Sequence, residues 1–197
     1  MSPSRSLLYG QLLFFCCLTV CVLLVPQGVS SNHGWSYYGG DPKTIVPYAL
    51  GFLGCALFVY KAAAALDAGP RLARRLVPGL RALVAFFLLD LLTPDVINSF
   101  FYVAHIVASA FLFVAELAFG AWLVRLGLGG RTAAVLLAVQ FAGGIVAMLS
   151  EAQWLGVLSA GILVFQAAFA ALLVVATRDF LPAPRPVPSF AWQSPRR

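Results

Sequence analysis

Long apolar runs alternate with short polar connections along nearly the whole chain. The runs fall at about residues 7–25, 45–66, 77–92, 100–126, 132–149 and 155–177. Most of them approach the roughly 20 residues that an α-helix needs to cross a hydrocarbon layer of about 30 Å. The pattern therefore predicts an all-α fold, a polytopic integral membrane bundle of six transmembrane helices over residues 1–180.

The composition agrees with this pattern. Of the 197 residues, 61% are hydrophobic and 10% are charged, and the mean hydropathy is +0.92. An ordinary soluble domain carries about a quarter charged residues. The connections contain too little polar sequence to cover a water-soluble core, so we expect a single membrane domain and no separate soluble one.

Basic residues sit on alternate sides of the apolar runs. The first, third and fifth connections carry only Lys43, and the opposite side holds Arg5, Arg71, Arg74, Arg75, Arg81, Arg125, Arg131, Arg178, Arg185, Arg196 and Arg197. Because an excess of Lys and Arg marks the cytoplasmic side, we expect both termini in the cytoplasm. The net charge of +6 is then a signal of topology, and nucleic acid is not an expected partner.

The first apolar run has two interpretations. Arg5, the run itself and the small residues Val29-Ser30-Ser31 together resemble a secretory signal with a cleavage site. The apolar stretch of about 19 residues is longer than the 7–15 typical of a signal-peptide core. We therefore predict a retained helix, with cleavage as the alternative.

The longest connection, residues 26–44, is rich in aromatic and turn-forming residues. Trp35, Tyr37 and Tyr38 have amphipathic rings that suit the membrane–water boundary, so one interpretation is an interfacial belt that closes the bundle. The alternative is a lid over a binding site between the helices. The polar contacts of that lid would be His33, Asp41 and Lys43.

The last residues of the chain, 181–197, have a different character. They contain Pro182, Pro184, Pro186, Pro188 and Pro195. Such spacing favours extended polyproline geometry without a packed core. We predict a proline-rich cytoplasmic tail.

Three polar side chains on successive predicted helices reach a similar depth near mid-membrane: Glu116, Gln140 and Gln166. A charged group at the bilayer centre costs about 2.5–3.5 kcal/mol on insertion scales, so Glu116 is a candidate functional residue. One interpretation is a set of hydrogen bonds that joins helices. The alternative is a carboxylate that handles a proton or a ligand.

His105 lies on the same predicted helix as Glu116, 11 residues earlier. Eleven steps of about 100° return to within about 20°, so both side chains belong to one stripe that should face the bundle interior. The short connection after Asp90 makes the third and fourth helices antiparallel neighbours, so Asp90 and His105 are expected to approach each other. A histidine–carboxylate pair orients the imidazole or begins a proton relay, and a purely structural pair is the alternative.

No complete catalytic constellation is present. The chain has two histidines and four cysteines, and the cysteines fall within the predicted helices at different depths. There is no P-loop, Rossmann fingerprint or G-x-S-x-G motif. We expect no enzyme activity, no metal and no cofactor.

Three short stretches resemble the DRAM-type family of six-span membrane proteins, which includes autophagy modulators and yeast regulators of plasma-membrane lipid. They are Ser36-Tyr37-Tyr38-Gly39-Gly40-Asp41-Pro42, His105-Ile106-Val107-Ala108-Ser109-Ala110-Phe111-Leu112-Phe113 and Glu151-Ala152-Gln153-Trp154. The resemblance implies a non-enzymatic membrane protein linked to lipid organisation or trafficking. It implies no catalytic residues.

These observations lead to one function hypothesis and one rival. The first is a non-catalytic membrane protein that binds lipid or a membrane partner, as an accessory subunit of a cell-envelope or lipid-handling complex. The rival is a small proton-coupled transporter that uses Glu116 and His105. The Arg-rich, Lys-poor composition is typical of a GC-rich genome, so we expect the bacterial cytoplasmic membrane.

Overall fold

Six long helices and one short helix make up most of the computed structural model, which describes residues 1–31, 33–94, 98–151, 157–178 and 180. Within these residues no strand occurs, so the predicted all-α fold is confirmed. The helices are α1 (Pro3–Leu24), α2 (Tyr37–Gly40), α3 (Ile45–Asp67), α4 (Arg71–Leu92), α5 (Ser99–Arg125), α6 (Gly130–Glu151) and α7 (Leu158–Arg178). The proline-rich residues 181–197 lie outside the described part of the chain, as do Ala152, Gln153 and Trp154.

Local sequence explains where the helices begin. The Ser2 hydroxyl accepts a hydrogen bond of 3.4 Å from the Arg5 backbone N–H, and Pro3 occupies the first turn of α1. The Asn98 side chain caps α5 in the same way, at 3.1 Å from the Phe101 N–H. These residues satisfy backbone donors that have no partner inside the helix.

Among the described residues, five helices are long and apolar enough to cross a membrane: α1, α3, α5, α6 and α7. Helix α4 differs because it begins six residues before the predicted apolar run and its first three turns carry Arg71, Arg74, Arg75 and Arg81. The chain is therefore a helical, multi-pass membrane protein. The sixth span that the hydropathy pattern predicts is not among these five helices.

Neighbouring helices run antiparallel and approach closely at glycines. On α1 and α3, a Cβ atom built at Gly10 would lie 2.7 Å from the Phe58 Cβ. On α6 and α7, a Cβ atom at Gly161 would lie 2.5 Å from the Ala147 backbone nitrogen, and one at Gly143 would lie 2.7 Å from the Phe165 nitrogen. Small residues at these positions bring the helix backbones together.

The outside of the bundle is apolar, and its interior holds polar side chains. Large apolar residues such as Phe111, Val114 and Met148 are well exposed, whereas Glu116 and Gln140 are completely buried. Lipid offers no hydrogen bonds, so this distribution suits a membrane. We call the end of the bundle that carries residues 25–44 the loop end, and the opposite end, where α4 begins, the arginine end.

Candidate functional site

A polar cluster near the loop end consists of Asp90, His105, Ser109 and Ser36. The His105 Nδ1 atom lies 3.6 Å from Asp90 Oδ1, and the Ser109 hydroxyl donates a hydrogen bond to the same oxygen. The other ring nitrogen, Nε2, lies 3.3 Å from the Ser109 hydroxyl and 2.5 Å from the Ser36 hydroxyl. The predicted approach of Asp90 and His105 is confirmed.

His105 and Ser109 of this cluster lie on the face of α5 that was predicted to turn toward the bundle interior. His105, Leu112 and Glu116 are all buried, and the intervening Ser109 is half-buried. The neighbouring residues Ile106 and Val107 on the same helix are exposed. The stripe therefore faces the other helices, as the 100° step between residues predicts.

Deeper in the bundle, the Gln166 side-chain amide donates a hydrogen bond of 2.8 Å to Glu116 Oε2. This partner was predicted, and it is confirmed. The predicted bond between Glu116 and Gln140 is wrong, because within the described residues neither polar atom of the Gln140 side chain has a hydrogen-bond partner. The Gln140 side chain lies against α5 about one turn beyond Glu116. A Cβ atom built at Gly120 would lie 3.0 Å from the Gln140 Oε1 atom.

A cavity of about 100 Å³ is lined by residues of both polar groups. Asp90 and Ser109 line it on one side, and Gln166 lines it on another. Most of the remaining wall is aromatic and consists of Phe14, Phe15, Trp35, Tyr48, Phe52 and Phe87. The cavity is thus lined largely by aromatic rings and touches one buried carboxylate.

A wider groove of about 430 Å³ runs between α5, α6 and α7. Its polar lining is concentrated toward the loop end and comprises His33, Ser36, Tyr102, His105, Ser109 and Glu151. The rest of the lining is apolar, and it includes Phe113, Val114 and Met148. The lining of the groove therefore changes from polar at the loop end to apolar toward mid-bundle.

A second depression of about 340 Å³ continues the groove between α5 and α6. It shares Phe113, Val114 and Met148 with the groove. Its further lining is entirely apolar and consists of Leu117, Ala118, Ala121, Phe141, Gly144 and Ile145.

The connection between α1 and α3 covers the loop end with two 3-10 turns, Pro26–Ser30 and Gly34–Ser36, and with α2. Tyr38 is fully buried, and the Trp35 ring stacks on it at a centroid distance of 6.0 Å. Burial raises the pKa of the Tyr38 hydroxyl. Trp35 and Tyr37 are partly buried against the core, so all three rings pack on the protein itself.

The three residues named as polar contacts of a lid lie in different places. His33 lines the groove, whereas Asp41 and Lys43 lie in the turn before α3. There the Asp41 side chain accepts a hydrogen bond of 2.8 Å from the Lys43 backbone N–H, and neither residue lines the cavity or the groove. A short side chain that caps its own turn cannot also reach the bundle interior.

Ser36 is the site residue that sequence reasoning missed. It touches the cavity, the groove and His105, although it precedes His105 by 69 residues. A buried histidine needs a hydrogen-bond partner, but this rule does not say which of the loop hydroxyls supplies it.

Among the described residues, no group of three or more His, Cys, Asp or Glu side chains is placed to hold a metal ion. The four cysteines are free. No protein-family model, no curated protein and no solved structure matches the chain. The resemblance to the DRAM-type family therefore stays a prediction.

Proposed function

We propose that this chain is a non-catalytic integral membrane protein that binds a membrane lipid in the groove between α5, α6 and α7. One observation carries the proposal: the groove is polar at the loop end and becomes purely apolar toward mid-bundle. An amphipathic lipid is divided in the same way, into a polar headgroup and an apolar chain. Sites for such ligands are mostly apolar clefts with a few polar groups that fix orientation.

The dimensions of the groove suit an acyl chain. From Tyr102 to Ala121, the groove and its continuation follow α5 for 19 residues, or about 28 Å at 1.5 Å per residue. That length is close to the full thickness of a hydrocarbon layer. A chain of ordinary length would lie along the groove, and its headgroup would meet His33, Ser36 and Glu151.

The proposed topology has six spans, with α4 as the additional one and both termini in the cytoplasm. Support comes from the packing of α4, where Gly79 contacts the Phe119 ring of α5 and Phe52 of α3 contacts Phe87. The arginine end would then be cytoplasmic. In a bacterial cytoplasmic membrane, the groove would open toward the outer leaflet.

A membrane protein partner belongs to the same proposal. The chain has no catalytic constellation of its own, so a bound lipid would be presented to, or received from, another subunit of a cell-envelope or lipid-handling complex. The exposed apolar faces of α5 and α6, which include Phe111 and Val135, are suitable for helix contacts within the bilayer.

Native mass spectrometry of the gently purified protein tests lipid binding. We expect one lipid class to be retained by the wild type and lost in Ala110→Phe, which places a ring in the groove. Ala85→Phe is the matched control, because Ala85 is an exposed alanine of α4 away from the groove. A wild type without retained lipid, or equal retention in both variants, would contradict the proposal.

A second function is favoured by a different observation, the complete burial of Glu116 beside Gln166. Gln166 also lines the cavity that reaches Asp90, so a mostly aromatic cavity with polar groups at both of these points forms a route from the loop end to mid-bundle. A proton-coupled carrier would use such a route. Flux driven by a pH gradient in proteoliposomes, present in the wild type and absent in Glu116→Gln, would favour the carrier over the lipid-binding proposal.

A further inference from the structure

We infer that the arginine face of α4, defined by Arg71, Arg74 and Arg75, binds the phosphate groups of anionic membrane lipids. These residues lie at the arginine end, whereas the polar lining of the proposed groove lies at the loop end. None of the three residues lines the groove. The inference therefore concerns a second surface and goes beyond the proposed function.

The three arginines lie on one side of the helix. At about 100° per residue, Arg74 and Arg75 are each within about 60° of Arg71 around the helix axis. All three are exposed, whereas Ala73 and Leu76 between them are completely buried. Helix α4 therefore packs on the bundle with its apolar side and presents three positive charges outward.

Within the described residues, no acidic side chain neutralises the arginine face. Asp67 is the acidic residue described at this end, and its carboxylate pairs with Arg81 at 3.0 Å. The three guanidinium groups of the face form no hydrogen bond or ion pair with the described part of the chain. Residues 180–197 add three further arginines and no Asp or Glu, so they supply no counter-charge. The negative partner must come from outside the chain.

These charges do not stabilise the helix that carries them. The N-terminal end of a helix bears a partial positive charge, which favours nearby anions and disfavours cations. The first turn of α4 contains Arg71 and Arg74 and no acidic residue. A phosphate bound beside this turn would offset the guanidinium charges and the helix dipole together. The planar fork of an arginine also matches two phosphate oxygens, which makes phosphate a suitable ligand.

Trp122 of α5 indicates the level of the arginine face along the bundle. Gly79 of α4 contacts the Phe119 ring of α5. Because the two helices are antiparallel, one turn toward the arginine end leads from this contact to Arg75 on α4 and to Trp122 on α5. Tryptophan is enriched at the membrane–water boundary, and Trp122 is half-buried. The arginine face therefore lies at the level of lipid headgroups, which commits the ligand to a bilayer phosphate.

Native mass spectrometry of the full chain measures this binding. The detergent-solubilised wild type is titrated with phosphatidylglycerol and, separately, with phosphatidylcholine of the same acyl chains. We expect an apparent Kd for phosphatidylglycerol that is lower by about tenfold or more, because each arginine adds to the attraction of an anionic headgroup. Equal affinity for the two lipids would overturn the inference. This comparison uses only the wild type and does not depend on the folding of a variant.

Two triple variants then locate the binding. Replacement of each arginine of the arginine face by Gln should bring the two apparent Kd values to within about twofold of each other. The matched control combines Arg5→Gln, Arg125→Gln and Arg131→Gln, which removes the same charge from exposed positions at the same end. The control should keep the preference for phosphatidylglycerol. If both variants lose it equally, the assignment to α4 is wrong.

Ala110→Phe separates this surface from the groove, which Ala110 lines. The preference for phosphatidylglycerol should persist in this variant whether or not the groove binds lipid, so a failure of the proposed function leaves the inference standing. Lipid held at the arginine face is retained in Ala110→Phe and in Ala85→Phe alike, whereas groove lipid is lost in the first alone. A preference that disappears in Ala110→Phe would place the anionic lipid in the groove and overturn the inference.

Discussion

The Gln166 side-chain amide donates a hydrogen bond of 2.8 Å to the carboxylate of Glu116, a residue 50 positions earlier in the chain and completely buried. The bond joins α5 to α7 at mid-bundle. Phe113 of α5 and Phe165 of α7 stack nearby with centroids 4.1 Å apart. One polar and one aromatic contact thus join the two helices beside the groove, which Phe113 also lines.

The Glu116–Gln166 bond predicts different effects for two substitutions of Glu116. Glu116→Gln keeps an oxygen acceptor for Gln166 and should change the unfolding free energy little. Glu116→Leu removes the acceptor and should destabilise the protein by about 1–2 kcal/mol. Equilibrium unfolding in mixed micelles measures both values.

A double-mutant cycle with Gln166→Leu provides the control for this prediction. The coupling between Glu116→Leu and Gln166→Leu should be about 0.6–1.7 kcal/mol, whereas Glu116→Leu with Gln140→Leu should give a smaller value. A larger coupling to Gln140 would show that Glu116 has a different partner in the membrane.

The close approach of α6 and α7 predicts that Gly161→Ala is destabilising. The new Cβ atom would lie 2.5 Å from the Ala147 backbone nitrogen, so the helices must separate, at about 1–3 kcal/mol. Ala160→Ser also adds one heavy atom, but at an exposed neighbouring position, and should be neutral. Thermal unfolding of both variants checks the difference, and equal melting temperatures would argue against this interface.

Hydropathy predicted most helix positions well, because five helices are nearly uniform apolar segments. The predicted run 45–66 and α3, Ile45–Asp67, differ by one residue. The hydropathy pattern placed the start of α4 six residues late. The first turns of this helix carry Arg71, Arg74 and Arg75, which are exposed while the other face of the helix is buried. A hydropathy pattern detects apolar runs and not amphipathic turns. It also missed α2, which is four residues long.

The sequence predicts how deep in the membrane a polar residue lies. It does not predict which residues of other helices lie beside it at that depth. Glu116, Gln140 and Gln166 were predicted to lie at one depth, but Gln166 donates a hydrogen bond to Glu116 whereas the Gln140 side chain makes none within the described residues. Which helices adjoin depends on side-chain packing around the whole bundle, as at Gly143 and Gly161. The contact between Ser36 and His105 depends in addition on how the loop folds back.

The proposed topology predicts the location of three reporter fusions. Fusions after Gly69 and Gly129 should report a cytoplasmic position, because both sites lie at the arginine end. A fusion within residues 32–40 should report an external position. Alkaline phosphatase and green fluorescent protein fusions give opposite signals, so each site has its own control. A cytoplasmic signal from the fusion within residues 32–40 would contradict the six-span proposal.

The contact between Ser36 and His105 predicts that this hydroxyl contributes to holding the loop against α5. Ser36→Ala removes the 2.5 Å contact with His105 Nε2 and should destabilise the closed loop by about 0.5–1.5 kcal/mol. Hydrogen exchange of residues 26–44 should then become faster, since these backbone groups would open more often. Ser30→Ala is the matched control, because the exposed Ser30 hydroxyl donates within its own turn, to the Gln27 carbonyl at 3.0 Å. His105→Ala should accelerate the same amides, and combining it with Ser36→Ala should add little. If Ser30→Ala accelerates exchange as much as Ser36→Ala, the loop is not held through His105.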